Sequence, residues 1–298
     1  ENMEKLTKED FASDQMVKWC PGCGDHVILS SLEKVLPQLG KRKEDVLVVS
    51  GIGCSSRAPY YVNTYGMHSI HGRALPIASG AKIANPDLSV WVTTGDGDCL
   101  AIGGNHFIHC VRRNMDIKVI LFNNQIYGLT KGQYSPTTPF GQVTKTSPMG
   151  TIEDPFNPGE LAIGAGVTFF ARSFDMTVKY LDEVMLAAAK HKGTALVEVL
   201  QNCVIFNNGA HHYYTDKQNR EDRIIHLEDG KPMIFGKDKN KGIRLCNDKN
   251  HLEVITIGEN GYTIDDVLVH DSHQVDRGVQ MMLAQMKGPD YPVAVGVI

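Results

Sequence analysis

The chain has 298 residues, 42% hydrophobic and 21% charged, and its 30 Lys+Arg against 34 Asp+Glu give a formal net charge of −4. That length buries a full core. The apolar content excludes a disordered or collagen-like chain, and the near-neutral charge argues against a nucleic-acid binder that works by phosphate neutralisation. No apolar run approaches the roughly 18 residues of a membrane helix, and residues 1–5 lack the apolar stretch of a secretory leader. The expectation is a cytoplasmic globular protein with neither membrane nor nucleic acid as partner. In a reducing compartment, its seven cysteines read as metal ligands or catalytic thiols sooner than as disulfides.

Residues 1–18 are polar and read as an arm. From Asp25 to Leu39, apolar Val27, Ile28, Leu32, Val35, Leu36 and Leu39 recur at helical spacing, closed by Pro37 and Gly40. Residues 45–50 (DVLVVS) form a short, nearly all-apolar run, the mark of a strand covered on both faces. The chain then predicts a helix over 75–84, a strand over 89–94, a helix over 102–113 and a strand over 117–122. After a long loop come a helix from Glu160 to Ala165, a strand over 167–171, an amphipathic helix over 177–191 and a strand over 195–200. Apolar strands alternating with helices predict an α/β fold, a parallel sheet with helices on both faces. Ligands of such sheets bind beyond the carboxyl ends of the strands, so the loops after Ser50, Thr94, Phe122 and Leu200 should share one edge.

The pattern changes after residue 206. Residues 207–223 are polar, Glu228–Gly230 and Lys237–Lys241 resemble hairpin turns, a helix is expected near 274–285, and 292–298 reads as a strand. The chain therefore divides into a domain over 1–206 and a C-terminal extension over 207–298 that packs on that domain or on a partner.

Gly95-Asp96-Gly97-Asp98 follows one predicted strand, and Asn123-Asn124 follows the next, with residues 98–122 between the two motifs. Gly-Asp-Gly alone marks a turn. At the same edge as Asn-Asn it can do more: hard Mg²⁺ takes oxygen ligands and completes its octahedron with substrate phosphates. Asp96 offers a carboxylate, Asn124 an amide oxygen and Ile126 a backbone carbonyl. Gly95 and Gly97 let backbone approach a phosphate at a helix start. This pairing resembles the thiamine-diphosphate motif, and the resemblance implies that Gly97, Asp98, Gly128 and Thr130 line the diphosphate, Asp98 through its backbone.

Cys20 and Cys23 form a Cys-x-x-Cys pair, Cys54 follows the first strand and Cys203 the last. The pair alone fits a redox dithiol or half a zinc site. Two more cysteines at the ligand edge favour four thiolates, which suit either zinc or an iron–sulfur cluster. Cys99, Cys110 and Cys246 read as packing thiols.

Trp19-Cys20-Pro21-Gly22-Cys23-Gly24, Gly51-Ile52-Gly53-Cys54, His71-Gly72-Arg73, Gly95-Asp96-Gly97-Asp98 and Tyr127-Gly128-Leu129-Thr130-Lys131-Gly132-Gln133 occur in that order. Together they resemble the β subunits of 2-oxoacid:ferredoxin oxidoreductases, particularly those acting on 2-oxoglutarate. The resemblance covers residues 16–206 and, more loosely, the tail around Pro292-Val293. It implies a thiamine-diphosphate-binding fold holding thiamine diphosphate, Mg²⁺ and one [4Fe–4S] cluster. Cys20, Cys23, Cys54 and Cys203 would ligate the cluster, and Gly53, His71 and Leu129 join the cofactor-lining residues. Arg57, where the family often has Lys, together with His71 and Lys131 would act on the substrate. A separate α subunit is implied, in an αβ or (αβ)2 assembly, supplying the Glu that activates the aminopyrimidine and most coenzyme A contacts. The implied reaction is coenzyme A-dependent oxidative decarboxylation of a 2-oxoacid, with electrons passed to ferredoxin and with CO2 fixation as the reverse. Pyruvate or a branched-chain 2-oxoacid is the alternative substrate. A non-redox thiamine decarboxylase or synthase with a structural zinc is the rival enzyme, and a zinc-binding interaction module the rival of another class. His211 and His212 read as part of a polar loop.

Overall fold

The computed structural model describes residues 6–246, 248 and 250–298. The first five residues, read as the start of the arm, lie outside the described residues. The remainder of that arm is anchored: the short helix α1 (Lys8–Phe11) buries Phe11 completely, and Phe11 O accepts a 2.7 Å hydrogen bond from Asn63 N.

The chain divides into two compact units, one ending at Ala210 and one spanning His211–Ile298. In the first, six strands form a parallel sheet: β1 (Val46–Ser50), β2 (Tyr65–His68), β3 (Ser89–Gly95), β4 (Lys118–Asn123), β5 (Phe169–Phe174) and β6 (Ala195–Leu200), in the order β2-β1-β3-β4-β6-β5. The registers Ser50↔Thr93, Gly95↔Phe122 and Asn123↔Leu200 bring the carboxyl ends of β1, β3, β4 and β6 to one edge. β4 and β6 are buried at every position, as strands covered on both faces must be.

The helices of this unit are α2 (Asp25–Val35), α3 (Ala58–Tyr61), α4 (Ala74–Ala84), α5 (Gly104–Arg112), α6 (Pro158–Gly164) and α7 (Val178–Lys190). α4 packs on β1 and β3, α7 on β5 and β6, with α2 against α7 and α5 against α4. The helix expected to reach Leu39 stops at Val35 and continues as a 3-10 turn (Leu36–Leu39), because Pro37 has no N–H for the α ladder. The strand expected over 167–171 instead starts at Phe169, after Gly166 turns the chain with φ 91°, and runs to Phe174.

The second unit contains α8 (His212–Thr215), α9 (Arg220–Arg223), β7 (Ile224–His226), β8 (Ile234–Phe235), β9 (Lys241–Cys246), β10 (His251–Thr256), α10 (Gly278–Gln285) and β11 (Val293–Val297). β7 and β11 pair in parallel, and β8, β9 and β10 make an antiparallel sheet. Of the two expected hairpin turns, the one over 237–241 joins antiparallel β8 and β9. Glu228–Gly230 is no hairpin, since it connects β7 to β8, which are not paired with each other. Among the described residues, no helix is long and apolar enough to cross a membrane.

Candidate functional site

Beyond the shared strand edge lies a cavity of about 180 Å³, lined by residues of five loops, among them Asp25, Gly53, Cys54, His71, Asp96, Asn124, Ile126 and Gly128. Gly95, Gly97, Asp98, Leu129 and Thr130 also line it. Two glycines keep backbone bare along its wall. A Cβ on Gly53 or Gly95 would meet nothing nearer than 3.8 Å, and Gly53 has φ 136°, a conformation that favours glycine. Gly97 is glycine for another reason: a Cβ there would sit 2.2 Å from the Tyr127 ring.

Asp96, at the end of β3, is 2% exposed. Its Oδ2 accepts the hydroxyls of Ser135 at 2.5 Å and Thr137 at 2.6 Å. Burial pushes its carboxyl up to about 6, opposed by those two hydroxyls. A buried carboxylate raised in this way gains from a cation beside it. Thr137 also donates to Asn123 Oδ1, Asn123 Nδ2 donates to Glu198 Oε1, and Glu198 is paired at 2.7 Å with the buried Arg172. The acid is thus braced by a polar chain running back into the sheet. Asn124 directs Nδ2 to Gln201 Oε1 (2.9 Å) and Oδ1 to the Ile126 N–H (3.2 Å).

Asp98 opens a π-helical turn (Asp98–Ile102), and its side chain does more than the sequence suggested. Oδ1 accepts from Gly72 N at 2.7 Å and Ile52 N at 3.0 Å, and lies 2.8 Å from His71 Nδ1; Oδ2 accepts from Thr94 Oγ1 at 2.6 Å. Because the carboxylate only accepts, Nδ1 of His71 carries a proton. Gly51 makes room for this acid, since a Cβ there would fall 1.9 Å from Asp98 Oδ2.

The four cysteines of interest converge beside the same cavity. A Cβ on Gly128 would lie 3.5 Å from Cys203 Sγ and 3.7 Å from Cys54 Sγ. Burial, then the neighbouring Asp25, Cys203 and Cys20, push the Cys54 thiol up to about 12, and burial with Asp25 pushes Cys23 higher. Asp25 itself is buried, and burial raises its carboxyl to about 7, opposed by a hydrogen bond from the Cys23 thiol. Gly24 N bonds Asn202 O at 3.3 Å, joining the Cys-x-x-Cys turn to the segment that carries Cys203. Trp19 Nε1 holds Cys54 O at 2.8 Å. Among the described residues, no three of these four sulfurs lie within 4.8 Å of one another.

Gln201, fully buried, links the two halves: it accepts from Asn124 and donates Nε2 to Cys23 Sγ at 3.4 Å. Gln201, Ser135, Thr137, Asn123, Glu198 and Arg172 escaped the sequence reading, because isolated polar residues in loops or apolar strands carry no spacing signal. Arg57 and Lys131 are exposed and are not among the residues lining the cavity. Lys131 adopts φ 76° and Gln125 φ 58°, so the loop after β4 holds two non-glycine residues in the left-handed region. Cys99 and Cys110 are buried, and Cys246 is half-buried in β9. His211 is buried at the start of α8, and His212 is exposed on it.

Residues 51–199 match the family model described as thiamine pyrophosphate enzyme, C-terminal TPP binding domain. The chain is 50% identical over 278 residues to the 2-oxoglutarate oxidoreductase subunit KorB of Mycobacterium tuberculosis, an overlap of 93% of this chain and 73% of that relative. It is 46% identical over 223 residues to the β subunit of 2-oxoacid:ferredoxin oxidoreductase 2 of Aeropyrum pernix, with 72% of each chain covered. Among solved structures, the 2-oxoglutarate:ferredoxin oxidoreductase from Magnetococcus marinus, with 2-oxoglutarate, coenzyme A and succinyl-CoA bound, superposes with a TM-score of 0.78. The identity is 34%, over 99% of this chain and 85% of that one. Fold and family model together define an enzyme subunit with a thiamine-pyrophosphate-binding domain. Within that class, the chain belongs to the β subunits of the 2-oxoacid:ferredoxin oxidoreductases.

Proposed function

We propose that this subunit binds thiamine diphosphate through Mg²⁺, carries a [4Fe–4S] cluster, and works with a separate α subunit in the cytoplasm. The reaction is coenzyme A-dependent oxidative decarboxylation of 2-oxoglutarate to succinyl-CoA and CO2, with electrons leaving to ferredoxin. The observation that carries this reading is a cavity lined by an oxygen-donor set and Cys54, with the other three thiols near Cys54 and Gln201 bonded to Asn124 and to Cys23. The substrate rests on the relatives named for 2-oxoglutarate and on the solved neighbour holding 2-oxoglutarate and coenzyme A.

The residues fit the groups they would hold. Asp96, the Asn124 amide oxygen and the Ile126 carbonyl are hard oxygen donors suited to Mg²⁺, and a cation would offset the burial that raises the Asp96 carboxyl. Gly53, Gly95 and Gly97, with Gly128 and Thr130, offer backbone to a diphosphate. Four gathered cysteines, with burial opposing the ionisation of Cys23 and Cys54, suit a cationic iron–sulfur core that favours thiolates. Zinc, with Zn–S bonds of about 2.3 Å, would draw all four sulfurs to within about 3.8 Å of one another. The relatives named for a ferredoxin acceptor favour the cluster over the zinc rival, since zinc carries no electrons.

Bound thiamine diphosphate supplies the electron sink for decarboxylation, and a cluster beside it accepts electrons singly. Asp96 and Asn124 would hold the cation, which would neutralise the diphosphate charge. His71, its Nδ1 fixed by Asp98, lines the cavity with an oriented imidazole. Arg57 and Lys131, exposed and close in sequence to the lining residues Ser55 and Thr130, would supply the positive charge that a dicarboxylate substrate needs from this chain.

The test is acyl-CoA formation by the αβ complex, with a viologen or ferredoxin acceptor, from 2-oxoglutarate, pyruvate and branched-chain 2-oxoacids in parallel. The expected result is a kcat/KM for 2-oxoglutarate at least tenfold above the others. Equal or higher values for pyruvate would reject the substrate assignment while leaving the family reaction intact.

A further inference from the structure

The β9–β10 hairpin carries chemistry that the thiamine site does not use. In its antiparallel register Cys246 stands opposite His251, and Arg244 opposite Glu253. Strand side chains alternate, so these four residues share one face, while Ile243 and Leu252 point to the other and are buried. One ligand atom from each of Cys246, His251 and Glu253 lies within 4.8 Å of the other two. Among the described residues, no other group of three His, Cys, Asp or Glu meets that spacing. All three are half-buried, and Cys246 is a free thiol.

Glu253 is held from behind. Its Oε1 pairs with Arg244 Nη1, and that guanidinium lies 5.5 Å from the centre of the Tyr262 ring. The pairing fixes the carboxylate through one oxygen and leaves Oε2 for another partner, the arrangement in which outer hydrogen bonds orient a ligating carboxylate. A thiol, an imidazole and a carboxylate make the mixed sulfur, nitrogen and oxygen set that zinc accepts, with a water in the fourth position. Tetrahedral bonds of about 2.3 Å to sulfur and about 2.0–2.2 Å to nitrogen and oxygen set the donors about 3.4–3.6 Å apart, so side-chain movements of about an ångström close the site. Hard cations such as Mg²⁺ and Ca²⁺ are disfavoured by the thiolate.

We propose that Cys246, His251 and Glu253 form a site for one zinc-class divalent cation that clips β9 to β10. On binding, the Cys246 thiol releases its proton to solvent, and no electron is transferred. The site shares no residue with the thiamine site and stands whether or not that reading is correct.

The experiment uses the full-length chain in its αβ complex with the iron–sulfur cluster reconstituted, so that the other thiols are matched in every sample. Co²⁺ serves as the spectroscopic probe, and Zn²⁺ affinity is read by competition with a chromophoric chelator. Wild type is expected to take up one equivalent of Co²⁺ more than Cys246→Ser and to show a thiolate-to-metal charge-transfer band absent from that variant. His251→Ala is expected to bind Zn²⁺ at least tenfold more weakly. Melting without metal checks that each variant is folded; if Cys246→Ser is not, His251→Ala is read in its place. Equal Co²⁺ uptake and identical difference spectra in wild type and a folded variant overturn the proposal.

Discussion

The Asp98 carboxylate gathers the side chain of His71, the N–H groups of Gly72 and Ile52 and the hydroxyl of Thr94 around one buried group. The Gly-Asp-Gly-Asp motif made this residue visible, but nothing local revealed its partners, which lie 27 and 46 positions away in the chain. The sequence reading therefore gave Asp98 a backbone role only. The structure shows its side chain fixing the tautomer of His71 and the turn at Gly51–Ile52. Asp98→Asn keeps an oxygen for the backbone donors but removes the charge beside the imidazole. We expect kcat of the αβ complex to fall about 10- to 100-fold, less than the roughly 10²–10⁴-fold of losing a general acid–base outright, while thiamine diphosphate affinity stays within a few fold. An unchanged kcat, measured with saturating cofactor, would show that His71 needs no such positioning. Asp98→Ala should also cost about 2–4 kcal/mol, because two buried N–H groups lose their acceptor.

At the scale of elements, what could be read depended on burial. β1, β3, β4 and β6 were legible because strands covered on both faces must be apolar throughout. β2 was not, because Tyr65–His68 is exposed at every position at the sheet edge and has no apolar pattern to read. The β9–β10 hairpin was missed as well: its alternation is masked by Gly242 and by charged residues on both strands. β4 breaks its own apolar rule at Lys118, whose ammonium is 2.7 Å from Asp116 at the strand's amino end. Burial alone would push the Asp116 carboxyl up, but the hydrogen bond and charge of Lys118 bring it down to about 2. An acid depressed on folding stabilises the fold above its unfolded value near 3.8, and that contribution fades as the pH falls through about 2. Asp116→Asn should therefore destabilise the protein at neutral pH, the difference from wild type shrinking between about pH 4 and pH 2. Denaturant midpoints across that range test this. A difference that does not vary with pH would assign the effect to packing and not to charge.

For the whole molecule, the parallel sheet explains why motifs scattered from residue 20 to residue 203 meet at one place. Strand ends of equal polarity lie side by side, and each contributes a short loop. The cysteine positions and the Asp96–Asn124 pair were legible because they form a Cys-x-x-Cys pair or stand at the ends of apolar strands. The links between them were not. Gln201, bonded to Asn124 on one side and to Cys23 on the other, is an unremarkable residue in sequence and acquires its role only when β4 and β6 lie adjacent. Through it, the proposed cation site and the proposed cluster site share one buried hydrogen-bond chain. The most direct test of this account is iron and acid-labile sulfide per chain, with zinc measured in the same samples, for the anaerobically purified wild type and Cys203→Ser. The account predicts about four irons and four sulfides in wild type, and loss of the intact cluster in Cys203→Ser with the thiamine domain still folded. Stoichiometric zinc without iron in wild type, or full iron content in Cys203→Ser, would contradict it.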